Sequence, residues 1–177
     1  AALTMATGMD QPVALRYPRG SGRKLDASNM KFADAIVKNV GYPAPGEGQL
    51  LLRGNTRVTV LVAGQRAVPC MEAALLVAQN TGLLASVFDA CWVKPLPEKQ
   101  ILDLAAESDA LLLVEENSRI GGFSSAVLEL LADNDRLGRL KIRRLGLPDR
   151  FIPHGPVRRL RADVGINVSG IASALKE

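Results

Sequence analysis

After Gly48 the apolar residues fall into a repeating order: short solid runs, then longer stretches with helical spacing. Gln49 to Leu52 and Val58 to Ala63 read as strands, the second apolar on both faces as a central parallel strand should be. Gly64 ends it. Pro69 suits a first helical position, where its missing N–H is no loss. Met71, Ala74, Leu75 and Ala78 then recur at helix spacing until Gly82 stops the helix. Leu84 to Ala90 predicts a strand, and Pro97 opens a helix with Ile101, Leu104 and Ala105 inward. Ala110 to Val114 predicts another fully apolar strand, and Gly121-Gly122 leads into a helix burying Val127, Leu130 and Leu131. Lys141 to Leu145 reads as a strand, Val157 to Asp163 and Ser169 to Leu175 as terminal helices. Strands that alternate with helices of this length predict a doubly wound α/β fold: a mostly parallel sheet with helices on both faces.

Before Gly48 the pattern is less regular. Pro12 to Arg16 reads as a short apolar strand ending in the polar turn Tyr17 to Gly22. Residues 21–48 are rich in Gly, Pro and Lys; Met30 to Val40 holds one or two amphipathic turns with Phe32, Ile36 and Val37 on one side, and Tyr42 to Gly48 is linker by composition. A domain boundary is therefore expected between Gly20 and Gly48. Position 1 is Ala, and the first residues read as the middle of ordered sequence, so the expectation is a chain that belongs to something longer.

The chain of 177 residues is 47% hydrophobic and 23% charged, which suits a packed domain and excludes disorder. No apolar run approaches the roughly 18 residues of a membrane helix, and no export signal is visible at the start. No membrane association is expected, and a cytoplasmic setting is. Cys70 and Cys91 are too far apart for a CxxC motif and read as reduced, small core residues. With one His and no Cys/His cluster, a metal site is not expected. Net charge is +4, unevenly spread: Arg136 to Arg161 holds nine Lys or Arg against one acid, Asp149. That stretch suggests a polyanion-binding surface, or more plainly a solvated face meeting acids on a neighbouring domain or subunit. With aromatics at 4% and no recognised binding motif, nucleic acid is not an expected partner.

Candidate chemistry is sparse. There is no phosphate-cradling GxxxxGK[ST], no GxGxxG after a strand and no GxSxG elbow. Glu115-Glu116-Asn117 ends a buried strand, where open α/β sheets place ligands. Adjacent strand residues face opposite ways, so these carboxylates do not suit a paired acid/base couple; one of them meeting the helix N-terminus after Gly121-Gly122 is the plainer reading. Arg16 and Arg19 flank Tyr17-Pro18, and an Arg fixed by a strand end and a Pro suits capture of phosphate or carboxylate, or an interdomain ion pair. His154 lies in a loop and reads as a surface or cap residue.

Five segments occur in order: Leu15-Arg16-Tyr17-Pro18-Arg19-Gly20, Asp89 to Leu96 (DACWVKPL), Val114-Glu115-Glu116-Asn117, Ile120-Gly121-Gly122, and Leu145 to Gly155 (LGLPDRFIPHG). Together, over Pro12 to Lys176, they resemble the C-terminal region of the 1-deoxy-D-xylulose 5-phosphate synthases, in the transketolase superfamily. The resemblance implies a transferase that joins pyruvate to glyceraldehyde 3-phosphate with loss of carbon dioxide, using thiamine diphosphate and magnesium, and that feeds isoprenoid, thiamine and pyridoxal synthesis. It implies residues 1–20 as the end of a pyrimidine-binding domain (a remnant strand), 21–48 as linker and 49–177 as a transketolase-like C-terminal domain. Partners would be the diphosphate- and pyrimidine-binding domains of the same enzyme, in a homodimer. No catalytic, cofactor-binding or metal residue transfers to this chain; Arg16, with Arg19 beside it, would hold the substrate phosphate, and the chain alone would be inactive. The alternatives are the corresponding part of a transketolase or a 2-oxo acid dehydrogenase component and, from another class, a free-standing polyanion-binding module.

Overall fold

A computed structural model describes residues 1–17, 24–26, 32–39 and 41–177. Five strands form one sheet: β1 (Gln49–Leu52), β2 (Val58–Ala63), β3 (Ser86–Asp89), β4 (Ala110–Ser118) and β5 (Lys141–Leu147), in the order β1-β3-β2-β4-β5. β3, β2, β4 and β5 are mutually parallel, and β1 is an antiparallel edge on β3. Among the described residues six helices accompany them: α1 (Ala2–Thr7), α2 (Ala67–Thr81), α3 (Glu98–Glu107), α4 (Phe123–Asp133), α5 (Val157–Asp163) and α6 (Val168–Lys176).

Alternation along the central strands divides the core in two. Val60, Val62, Val87, Leu112 and Val114 face α2 and α6, where Cys70, Leu75, Ala78 and Ile171 are buried. Leu61, Phe88, Leu111 and Leu113 face the opposite way, onto Ile101 and Ala105 of α3 and Phe123, Val127 and Leu131 of α4. Each Val, Leu, Ile or Phe among them, fully buried, stabilises by about 1.5–3 kcal/mol. The doubly wound, mostly parallel sheet with helices on both faces is thus as the sequence predicts.

Several boundaries differ, each for a local reason. The strand expected over Pro12 to Arg16 is absent: residues 12–17 carry no ladder, and without a neighbouring strand an extended segment gains no pairing. Ahead of it the Ala-rich run Ala2–Thr7 is helical instead, as its propensity favours. Leu84 and Ala85 lie outside β3 because the Asn55-Thr56 turn occupies the Leu84 backbone, with Asn55 N–H and Thr56 Oγ1 donating to its carbonyl and Asn55 Oδ1 accepting its N–H. α2 begins at Ala67, so Pro69 stands within its first turn, and Gly82, left-handed at φ 77°, ends it. β4 runs on through polar Glu115–Ser118 with a shift of register against β5. Of the Met30 to Val40 stretch, residues 30, 31 and 40 lie outside the described residues. Within it, Ala33–Ala35 is a single 3-10 turn, Phe32 and Ile36 pack on the α2 side of the core, and Ile36 bridges to Leu52.

β2 and β4 are neighbours, yet the chain leaves β2 for α2 on one face and β4 for α4 on the other. Their carboxyl ends therefore form the switch point of the sheet, where open α/β folds leave a crevice.

Candidate functional site

Ala63 ends β2, and the 3-10 turn Gly64–Arg66 carries the chain into α2 beside the end of β4. Alternation sends Glu115 and Glu116 to different surroundings, as the sequence predicts. Glu115 is 2% exposed. Its Oε2 accepts the Phe123 N–H at 2.9 Å; its Oε1 accepts the Ser124 N–H at 2.9 Å and the Ser124 hydroxyl at 2.6 Å. A carboxylate thus closes the N-terminus of α4, where the unpaired amides and the helix dipole favour negative charge. Gly122 makes the approach possible, since a Cβ there would stand 2.3 Å from Glu115 Oε2 and 2.1 Å from the Ser118 carbonyl oxygen.

Glu116 gathers arginines. Its Oε1 accepts Arg161 Nη2 at 2.8 Å and Nε at 3.1 Å, and its Oε2 lies 2.9 Å from both Gln65 Nε2 and Arg66 Nε. Arg66 is nearly buried, its side chain 7% exposed, while those of Glu116 and Arg161 are 25% exposed. Arg16 joins from the N-terminal segment: its Nη2 donates to the Glu116 carbonyl at 3.3 Å. Arg161 and Arg66 thus converge on one carboxylate, and Arg16 reaches its backbone. Arg19 lies outside the described residues.

The end of β3 is sealed differently. Asp89 accepts the Cys91 N–H at 3.0 Å, and burial raises its carboxyl pKa despite the hydrogen bonds from Cys91 and from the Gly64 backbone. Burial, then the adjacent Asp89, push the Cys91 thiol up to about 12. Cys70, fully buried, is raised for the same first reason. Both cysteines are free, and neither is a nucleophile near neutrality. Tyr42 Oη donates to the Cys91 carbonyl at 2.9 Å and Trp92 Nε1 to the Pro43 carbonyl at 3.0 Å, the two rings meeting edge to face at 6.1 Å. This stretch around Tyr42, linker by composition, is therefore pinned over the sheet.

Among the described residues no group of three or more His, Cys, Asp and Glu is placed to hold a metal, and no helix is long and apolar enough to cross a membrane. The arrangement presents guanidinium groups of the kind that pair with anions; among the described residues it offers no poised base or nucleophile.

Residues 46–171 match the family model "Transketolase, C-terminal domain". The chain belongs to the transketolase C-terminal domain family. It is 47% identical over 177 residues to a 1-deoxy-D-xylulose-5-phosphate synthase of Nitratidesulfovibrio vulgaris, and 42% identical over 176 residues to that of Oleidesulfovibrio alaskensis. These alignments take in 100% and 99% of this chain but only 26% of each relative, so the chain spans about a quarter of their length. Among solved structures, one titled "Split gene transketolase, inactive beta4 tetramer" superposes with a TM-score of 0.79 at 25% identity, covering 99% of this chain and 52% of that one. A transketolase from Campylobacter jejuni shares the fold, with a TM-score of 0.55 at 17% identity.

Within this transketolase C-terminal domain the other sequence candidates, Arg161 excepted, stand apart from the Glu116 cluster. His154 is exposed in the loop before α5. The basic stretch is divided: Arg161 enters the cluster, Arg143 pairs with Glu177, and Arg159 lies 3.9 Å from Asp163. Arg66 and Gln65 were not candidates from sequence, and Arg161 was one only as the end of the basic stretch. The one local signal was a polar pair directly after the Gly64 turn at a strand end.

Proposed function

We propose that this chain is the C-terminal region of a thiamine diphosphate-dependent 1-deoxy-D-xylulose 5-phosphate synthase, a cytoplasmic homodimer that condenses pyruvate with glyceraldehyde 3-phosphate and releases carbon dioxide. The observation that carries this reading is 47% identity to such a synthase along the whole chain. Residues 1–20 are the end of the pyrimidine-binding domain, 21–48 the linker and 49–177 the C-terminal domain. Thiamine diphosphate and magnesium do not fit the donors present here. Magnesium takes oxygen ligands, and at the switch point Glu115 is saturated by amides and a hydroxyl, Glu116 by Arg161, Arg66 and Gln65. The cofactor belongs to the other domains of the enzyme.

This chain's part is to dock and to supply charge. Large apolar residues stand exposed on the connections leaving the carboxyl ends of the sheet: Ile120 at 64%, Phe151 at 102% and Val93, with Val157 at the start of α5. Such a concentration suits a face covered by the remaining domains. Arg16 spends one donor on the Glu116 carbonyl; its other N–H groups are offered to the acceptor phosphate, Arg19 being the second candidate for the same role. Within the full enzyme, Arg16→Ala removes about 1.5–3 kcal/mol of phosphate binding. The KM for glyceraldehyde 3-phosphate should then rise by about 10- to 150-fold, that for pyruvate staying within about twofold. Equal loss for both substrates refutes the role of Arg16; failure of the unaltered enzyme to make the pentulose phosphate refutes the whole reading.

A further inference from the structure

Arg119, Arg144 and Arg150 line a cavity of about 210 Å3 at the carboxyl end of β5, and no residue of the Glu116 cluster belongs to it. Arg144 is fixed by the chain: half-buried, it donates Nη1 to the Arg119 carbonyl at 3.0 Å. The Arg119 stem lies across Gly146, where a Cβ would stand 2.9 Å from Arg119 Cγ. Among the described residues none of the three guanidinium groups has a carboxylate partner. The one acid on the wall, Asp163, has its carboxylate 3.9 Å from Arg159, which is not part of the lining.

The rest of the lining is apolar: Leu145, Pro148 and Val164. Three positive groups against one negative leave a surplus that matches a dianion, and guanidinium planes match phosphate oxygens in pairs. We propose that this cavity binds a small phosphate monoester, the phosphate on Arg119, Arg144 and Arg150 and a short carbon body against Leu145, Pro148 and Val164. It does not depend on the synthase reading and makes no use of Arg16.

The test is titration calorimetry of the 177-residue chain with glycerol 3-phosphate at physiological ionic strength, with inorganic phosphate and glycerol as the comparison probes. The expected result is saturable one-to-one binding of the ester, tighter than of inorganic phosphate, and none of glycerol. Arg150→Ala, an exposed position that leaves the fold intact, and Arg144→Gln, which keeps a donor for the Arg119 carbonyl, should each weaken it by about tenfold or more. Arg136→Ala removes the same charge outside the cavity and should leave affinity unchanged, as should Arg16→Ala. Absence of saturable binding overturns the proposal. So does equal weakening by Arg136→Ala, which makes it net charge alone, or a loss with Arg16→Ala, which moves the ligand to the Glu116 cluster. Inorganic phosphate binding as tightly as the ester overturns the role of the apolar wall.

Discussion

Glu115→Gln tests whether a buried carboxylate holds α4 on the sheet. The substitution is nearly isosteric, so no cavity confuses the result. It replaces two acceptor oxygens by one oxygen and one amide NH2. Three donors converge on the native group: the Phe123 and Ser124 N–H and the Ser124 hydroxyl. The hydroxyl can rotate to accept from the new amide, but whichever way the amide lies, one backbone N–H faces a donor. A buried N–H left without an acceptor costs about 1–3 kcal/mol. Losing the negative charge at the helix N-terminus adds about 0.3–2 kcal/mol, toward the upper end because the group is dry. The expected destabilisation is therefore about 2–4 kcal/mol. For a chain of this length that lowers the melting temperature by roughly 5–15 °C. Urea denaturation followed by circular dichroism measures it, with Ser124→Ala and the double variant closing a mutant cycle whose coupling should be about 1 kcal/mol or more. A loss below about 0.5 kcal/mol, typical of a surface substitution, would refute the clamp.

Three further outcomes follow from the same geometry. Glu116→Gln strips the ion-pair partner from nearly buried Arg66 and from Arg161; urea denaturation should show a loss of about 2–4 kcal/mol, and an unchanged midpoint contradicts the pairing. With its pKa pushed up to about 12, Cys91 in the native chain at pH 8 should react with iodoacetamide about a thousandfold more slowly than an unperturbed thiol near 8.5; mass spectrometry showing comparable rates in native and urea-unfolded protein refutes this. Burial raises the Asp89 carboxyl above its ordinary 3.8, so folding favours its protonated form, and that contribution is lost as pH rises from the ordinary value through the raised one. Asp89→Asn, which keeps an acceptor for the Cys91 N–H, should gain on the native chain as pH rises over that window; parallel stability profiles would refute the shift.

Much of the fold was legible because parallel strands buried on both faces leave solid apolar runs, and β1, β2 and α5 fall at their expected bounds. What escaped the pattern was settled by contacts between distant segments. Nothing in Leu84-Ala85 announces that Asn55 takes its backbone, and nothing in polar Glu115–Ser118 announces that β5 continues to pair with it. The site divides the same way. A carboxylate meeting α4 was legible, since Gly121-Gly122 marks a helix start within eight residues of Glu115. The Arg161–Glu116 pair spans 45 residues and the Arg16 contact 100. Those links exist only once the strand order is known, so the meeting of these arginines on Glu116 had no local signature.

The occupied switch point gives this domain a particular character. In an open sheet the gap between diverging connections is the natural ligand crevice. Here Arg66 and Gln65 from the β2 side and Arg161 from α5 close on Glu116, a carboxylate of β4. Every reactive group nearby is spent: Glu115 on amides, Glu116 on guanidinium groups, and Cys91 kept as a thiol by burial. Arg16, exposed, makes one contact among the described residues, to a neutral carbonyl. A guanidinium held by one donor is oriented but not neutralised, so it can still meet an anion delivered from outside the domain. Packing that ties up nucleophiles and bases while leaving one aimed cation suits a domain that orients an anion and does not transform it.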